Sequence, residues 1–224
     1  MDKKLMEEKW SHLHKEERFQ LKYPSEHVVR FVATQFPRNL KERSSLKILD
    51  LGCGAGRHTV FLAREGFQTY ATDISQEGLK VAGKRLKDEK LQGILKKANM
   101  EKQPFPDKFF EGIISFGVFY YNDLRGFKNA VSEMYRILKK NGKALIFTRT
   151  TDDYRYGRGD KIDKNTFVLG IENTNEKGMV MHFLDRVEIN EIFSKFNKII
   201  VEKTEVTFSN LEKKNSDWII IVRK

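Results

Sequence analysis

The 224-residue sequence predicts an α/β domain, a doubly wound and mostly parallel sheet with helices on both faces. Three observations carry that expectation. Short apolar runs alternate along the chain with stretches of helical periodicity. The first run, Lys47 to Leu51, stops at three glycines, Gly52, Gly54 and Gly56, where a helix begins. A carboxylate, Asp73, closes the second run 21 residues after Gly52.

The elements follow in order. Lys47 to Leu51 reads as a buried strand and His58 to Glu65 as a helix stopped by Gly66. Phe67 to Thr72 forms the second strand, and a helix follows from about Ser75 to Lys87, where Ser75 with Gly78 supplies only half a capping box. Gly93 to Ala98 suits a third strand. Gln103-Pro104-Phe105-Pro106-Asp107 then forbids regular structure, because each proline removes a donor and restricts the residue before it. Glu111 to Phe116 reads as a central fourth strand. Phe127 to Lys139 reads as an amphipathic helix with Ala130, Val131, Met134, Ile137 and Leu138 on one face, ended by Asn141-Gly142. Lys143 to Thr148 supplies a fifth strand.

Arg149 to Asn175 is polar and irregular, and a connection this long inside a compact domain is usually functional or mobile. A hairpin fits Thr166 to Glu172 and Gly178 to Phe183. Arg186 to Phe196 reads as helix, and Lys198 to Phe208 and Trp218 to Val222 as two last strands joined by a polar loop. Before all of these, Trp10, Phe19, Tyr23-Pro24-Ser25, Val28, Val29 and Phe31 fall at partly helical spacing, which suits a helical cap over the cleft.

Composition narrows the function. With 39% hydrophobic and 33% charged residues the chain can bury one sizeable core. No run approaches the roughly 18 apolar residues of a membrane span, and the start, MDKKLMEEKWSHLHKEERF, lacks the apolar stretch of a signal peptide. A cytoplasmic protein with no membrane partner is expected. The single cysteine, Cys53, excludes an internal disulfide, and His12, His14, His27, His58 and His182 show no metal-ligand spacing, so no metal is expected. The 42 Lys+Arg against 31 Asp+Glu give a formal charge of +11, but the cations are spread and mixed with acids. That pattern suits a solvated surface better than a nucleic-acid footprint.

Glycines between a strand and a helix let the chain turn sharply and let a ligand touch backbone where a Cβ would collide. The helix after Gly56 also points free N–H groups at that ligand. Asp73, at the end of the second strand, can accept from the ribose hydroxyls of an adenosine-containing cofactor. A dinucleotide fingerprint would need glycine where Arg57 stands.

The observed D-x-G-x-G-x-G of ILDLGCGAG resembles the first motif of the class I S-adenosylmethionine-dependent methyltransferases, of the small methyltransferase 11/25-like group. The similarity runs from about Lys47 to Phe147. YATDIS resembles the second motif, ANMEKQPFPDKFFEGIISFGVFYY the segment entering the fourth strand, and MYRILKKNGKALIF the following helix and strand. The resemblance implies a Rossmann-like seven-stranded, mostly parallel sheet with the last strand antiparallel. It implies S-adenosylmethionine as cofactor and S-adenosylhomocysteine as product.

Residue by residue, it places Asp50, Gly52, Cys53, Gly54 and Gly56 around the methionine part, Asp73 on the ribose, Ile74 on the adenine, and Asn99 and Met100 at the adenine edge, with Phe116, at the end of the fourth strand, as a further cofactor-binding residue. Asn99 departs from the family's acid, although its carbonyl can accept the same bond. The implied organisation is one domain: an N-terminal helical cap (1–44), a cofactor-binding core (45–148), a substrate-side insertion (149–185) and a C-terminal helix with strands (186–224).

In such enzymes catalysis is largely positioning in a dry site, with a base needed only for some acceptors. No catalytic residue is identified. The segment after the fourth strand, GVFYYND, lacks the asparagine-proline-proline-tyrosine motif of amine methylation, and one cysteine excludes a paired-cysteine scheme. Substrate contacts are expected from loops at the carboxyl ends of the strands: Tyr120, Tyr121, Arg149, the segment Asp152 to Tyr156, and His182. A small-molecule acceptor is favoured. An RNA or protein acceptor, and a non-catalytic S-adenosylmethionine-binding module, are the alternatives.

Overall fold

The computed structural model describes residues 3–224. Helix α1 (Lys3–Leu13), a short 3-10 turn (Glu17–Phe19), α2 (Glu26–Gln35) and α3 (Leu40–Arg43) precede the first strand. The alternating part comprises β1 (Lys47–Leu51), α4 (Arg57–Arg64), β2 (Gln68–Asp73), α5 (Gln76–Asp88), β3 (Ile94–Lys97), β4 (Phe110–Phe116), α6 (Leu124–Ile137) and β5 (Leu138–Arg149). Three short strands follow, β6 (Gly159–Asp163), β7 (Thr166–Leu169) and β8 (Val180–His182), then α7 (Arg186–Ile192), β9 (Lys198–Phe208) and β10 (Lys213–Arg223).

The main sheet has seven strands in the order β3-β2-β1-β4-β5-β10-β9. Pairing is parallel from β3 through β5, and β10 runs antiparallel to both β5 and β9. The expected antiparallel last strand is therefore present, one place in from the edge. Side chains alternate across this sheet and both faces are covered. Leu49, Leu51, Ile113 and Ile146 pack with α6 and α7 through Phe127, Met134 and Ile189. Ile48, Ile114 and Leu145 pack with α2 and α4 through Phe31, Val32 and Leu62. The chain reverses direction of winding between β1 and β4, and their carboxyl ends open a crevice there. No helix among the described residues is long and apolar enough to cross a membrane.

Four local readings are corrected. Helix α6 starts at Leu124, because the Asp123 side chain accepts the Gly126 N–H at 2.7 Å as an N-cap. It ends at Ile137, and Leu138 opens β5 instead of continuing the apolar helix face; its partner is Phe110, and the register then jumps to Gly112 with Lys143. The lysines and Asn141-Gly142 form this bulge, with Asn141 at φ +64°. The irregular segment after Arg149 contains an extra strand, β6, so the expected hairpin is a three-stranded sheet, β6-β7-β8. β10 begins at Lys213, since every residue from there pairs with β9.

Phe127 is fully buried, its ring edge-on to Phe119 at 5.7 Å. Phe127→Ala should cost ~3–5 kcal/mol, the range for emptying a buried aromatic site. Urea denaturation monitored by circular dichroism measures it, and a cost near zero would mean that α6 does not anchor this face.

Candidate cofactor and acceptor site

The crevice holds a cavity of about 360 Å³. Its walls follow the sheet order: Asp73 and Ile74 after β2, the glycine turn after β1, Phe116 to Tyr121 after β4, and Phe147 and Arg149 at the end of β5.

The turn is hung on its neighbour strand. Gly52 N–H and Cys53 N–H both donate to the Thr72 carbonyl, at 2.7 and 3.0 Å, and Gly54 N–H donates to Asp73 Oδ2 at 2.8 Å. Gly52 has φ +74°, and a Cβ there would stand 2.4 Å from the Val118 side chain. Gly56, at φ +83°, lies against Ala82 of α5, where a Cβ would come within 2.6 Å. Glycine is required at both positions, once for backbone conformation and once for space. Asp73 also takes the Ser75 N–H on Oδ1 at 2.7 Å. Burial raises its pKa and these backbone donors oppose the rise. Each carboxylate oxygen keeps lone-pair capacity for a further donor.

Asp50 lies beneath the turn, 1% exposed and outside the cavity wall, and accepts Thr59 Oγ1–H at 2.6 Å. Burial pushes it up to about 6 against that hydrogen bond and the Arg57 charge. It supports the turn from behind. Cys53, Gly54, Ile74, Met100 and Phe116 line the cavity; Gly56 does not. Phe116 stacks on Phe147 at 4.1 Å, with the Arg57 guanidinium 5.1 Å from its ring. Asn99 faces a smaller neighbouring cavity of about 220 Å³, which shares Met6, Ile74, Met100 and Tyr121 with the larger one. Its side-chain oxygen accepts the Glu101 N–H at 2.9 Å.

Tyr120, Tyr121 and Arg149 come together on the wall from β4 and β5. The Arg149 guanidinium sits 5.5 Å from the Tyr120 ring and gives Nη1 to both oxygens of Asp217, at 2.9 and 2.8 Å. Tyr121 donates its hydroxyl to Glu176 at 2.8 Å, and Glu176 also accepts from Arg155 Nε at 2.5 Å. The segment Asp152 to Tyr156 stays out of the cavity. Its buried Asp153 binds Arg155 and the Ser216 N–H, tying the segment to the start of β10.

His182 does not reach the cavity. Its side chain is fully buried, with Nδ1 2.8 Å from Thr166 Oγ1 and Nε2 3.5 Å from Glu188. The alternation of β8 turns the imidazole toward α6 and α7, and only its backbone N–H meets the Tyr120 carbonyl, at 2.8 Å. Trp10, expected in the cap over the cleft, lines the cavity, and so do Met6, His14 and Gln103, which sequence reasoning does not identify. The apolar spacing of α1 included Trp10; nothing local marked His14 or Gln103.

His58 lies under the same wall, its Nε2 accepting the Ser25 N–H at 3.2 Å. Burial, reinforced by the Arg57 charge, pulls it from 6.5 down to about 3. Between those values the unfolded chain binds a proton that the folded chain refuses, so stability falls as pH falls. Asp50 acts with the opposite sign, since its raised pKa makes the folded form bind the extra proton and stability falls as pH rises toward about 6. His58→Gln should therefore keep more of its stability at about pH 4, relative to about pH 6.5, than the wild type does. Urea denaturation across that window checks it, and identical pH profiles would contradict a buried neutral His58.

Residues 49–146 match a family model described as a methyltransferase domain. Among characterised relatives, the ubiquinone/menaquinone biosynthesis C-methyltransferase UbiE of Pectobacterium carotovorum is 38% identical over 114 residues, covering 46% of this chain and 43% of that protein. The enzyme of the same name from Psychromonas ingrahamii is 35% identical over 118 residues, covering 50% and 46%. The matched part thus spans less than half of these relatives' length. Among solved structures, a SAM-dependent methyltransferase from Methanosarcina mazei superposes with a TM-score of 0.70 at 18% identity, covering 91% of this chain and 99% of that one. TehB from Haemophilus influenzae gives 0.66 at 16% identity, covering 93% and 65%. These two likenesses concern the fold. In residues 49–146 the chain carries a methyltransferase domain, set in a fold that it shares with these solved structures.

Proposed function

We propose that this protein transfers the methyl group of S-adenosylmethionine to a small-molecule acceptor. The observation that carries the reading is a single cavity walled by a Cβ-free turn and Asp73 on one side and by Tyr120, Tyr121 and Arg149 on the other. The relatives' naming as C-methyltransferases of ubiquinone and menaquinone biosynthesis supports a small-molecule acceptor.

The residues present fit the cofactor. Gly52 to Gly54 offer bare backbone, Asp73 keeps acceptor capacity for a ribose diol, and Ile74, Met100 and Phe116 give an apolar lining for a base. When bound, the cofactor supplies a methyl group already activated by its sulfonium. The protein's part is to hold an acceptor in line and exclude water. Met6, Trp10 and Phe19 from the N-terminal segment share an apolar cluster with Tyr120, Tyr121 and Phe167, which roofs the cavity. Arg149 and Tyr120 present a cation and a phenol to the acceptor, and the ion pair with Asp217 holds the guanidinium in place. In this reading residues 45–148 serve the cofactor and 149–185 brace the acceptor side.

Asp73→Ala should weaken S-adenosylhomocysteine binding by at least about tenfold, the loss of charge-assisted hydrogen bonds. Isothermal titration calorimetry reads this, and unchanged affinity would remove Asp73 from the cofactor site. With methyl-labelled S-adenosylmethionine and a cell extract, label should enter the small-molecule fraction; label confined to RNA or protein would replace the small-molecule reading.

A further inference from the structure

His14 sits in a seat shaped for it. Its side chain is buried, 7% exposed, and lines the same cavity as Asp73. Nδ1 lies 2.8 Å from Ser75 Oγ, the N-cap of α5. Two glycines make the room. A Cβ on Gly78 would stand 2.9 Å from Nδ1, and one on Gly54 would stand 3.0 Å from Nε2. Gly78 occupies the position where a capping box would place an acid, so the half-formed box at Ser75 leaves a space that the imidazole fills. The Trp10 ring stacks on the imidazole at 5.8 Å and in turn meets the edge of Tyr121 at 4.9 Å.

Ser75 Oγ already accepts the Gly78 N–H at 3.0 Å, and its own proton is then available for His14 Nδ1. In the tautomer that takes this proton, Nε2 is an N–H. Burial favours this neutral ring, lowering its pKa against the attraction of Asp73. Among the described residues Nε2 makes no hydrogen bond, and it faces the backbone of the glycine turn beside Asp73. A donor and an acceptor from distant parts of the chain thus meet at one end of the cavity.

We propose that His14, as the Nε2–H tautomer, is a cofactor-binding residue, which with Asp73 forms a donor and acceptor pair for the vicinal diol of a ribose. The proposal rests on the S-adenosylmethionine reading above and adds to it a contact from the N-terminal segment. It makes that segment, which roofs the cavity, part of the binding site.

The test uses the full chain with S-adenosylhomocysteine in calorimetry, and adenosine with its 2′-deoxy and 3′-deoxy forms as competitors. His14→Phe keeps a ring in the glycine seat without a donor. It should lower S-adenosylhomocysteine affinity about tenfold, leave the melting temperature near that of the wild type, and shrink the preference for adenosine over at least one deoxy form. His14→Gln, which keeps an N–H donor, should recover part of both; it also carries the test if the phenylalanine variant does not fold. Affinity within about twofold of wild type in both variants, or a loss of affinity with the deoxy preferences unchanged, overturns the proposal. Those results leave the cofactor reading standing, whereas a wild-type protein that binds no S-adenosylhomocysteine overturns both.

Discussion

The site depends on one carbonyl. Thr72 C=O, at the end of β2, receives the N–H groups of both Gly52 and Cys53, and the next residue, Asp73, receives the N–H of Gly54. Three consecutive donors of the turn are therefore held by two consecutive residues of the neighbouring strand. The parallel register makes this possible, because Leu51, the last residue of β1, pairs with Thr72 and β2 continues one residue further to Asp73. A chain held that way must adopt left-handed backbone conformations at Gly52, Gly54 and Gly56, which only glycine takes without strain. The bare backbone that faces the cavity follows from the way the turn is fastened.

The opposite wall is fastened by charge. Arg149 pairs with Asp217 across the antiparallel β5 and β10, and Asp153 joins Arg149 to Arg155. Glu176 then links Arg155 to the hydroxyl of Tyr121. These side chains are mostly buried, and breaking one partner of such a set leaves an uncompensated charge in a poorly solvated place. The network gives the β4 and β5 loops a fixed shape. It also explains why the polar segment after β5 does not itself enter the cavity: its acids and Arg155 hold the wall from outside.

Much of the architecture was legible in the sequence. Apolar runs of strand length, glycine stops and proline breaks are local signals, and they placed β1, β2, β4 and the helices between them to within a few residues. Asp123 and Asp185 are helix caps that the apolar spacing does not reveal, and Asp185 with Glu188 closes a full capping box. Leu138 continues the apolar spacing of the helix before it. The pairing of Phe110 with Leu138 pulled it into the sheet instead, a case of tertiary contact overriding periodicity. The strand β6 carries no alternating apolar pattern, because Ile162 is its one large apolar residue and is itself exposed.

The sequence by itself determined the sheet's winding, the glycine turn and the carboxylate one crossover later, because each is encoded by neighbours in the chain and by the conformations those residues can adopt. Only the tertiary structure decided which distant groups share the cavity. It brought His14 to Asp73, seated on glycines from two other elements, and it turned His182 away into the packing behind α6. Spacing along a chain carries no information about either outcome, since both depend on how separately folded elements pack and which side chains that packing leaves facing the same space.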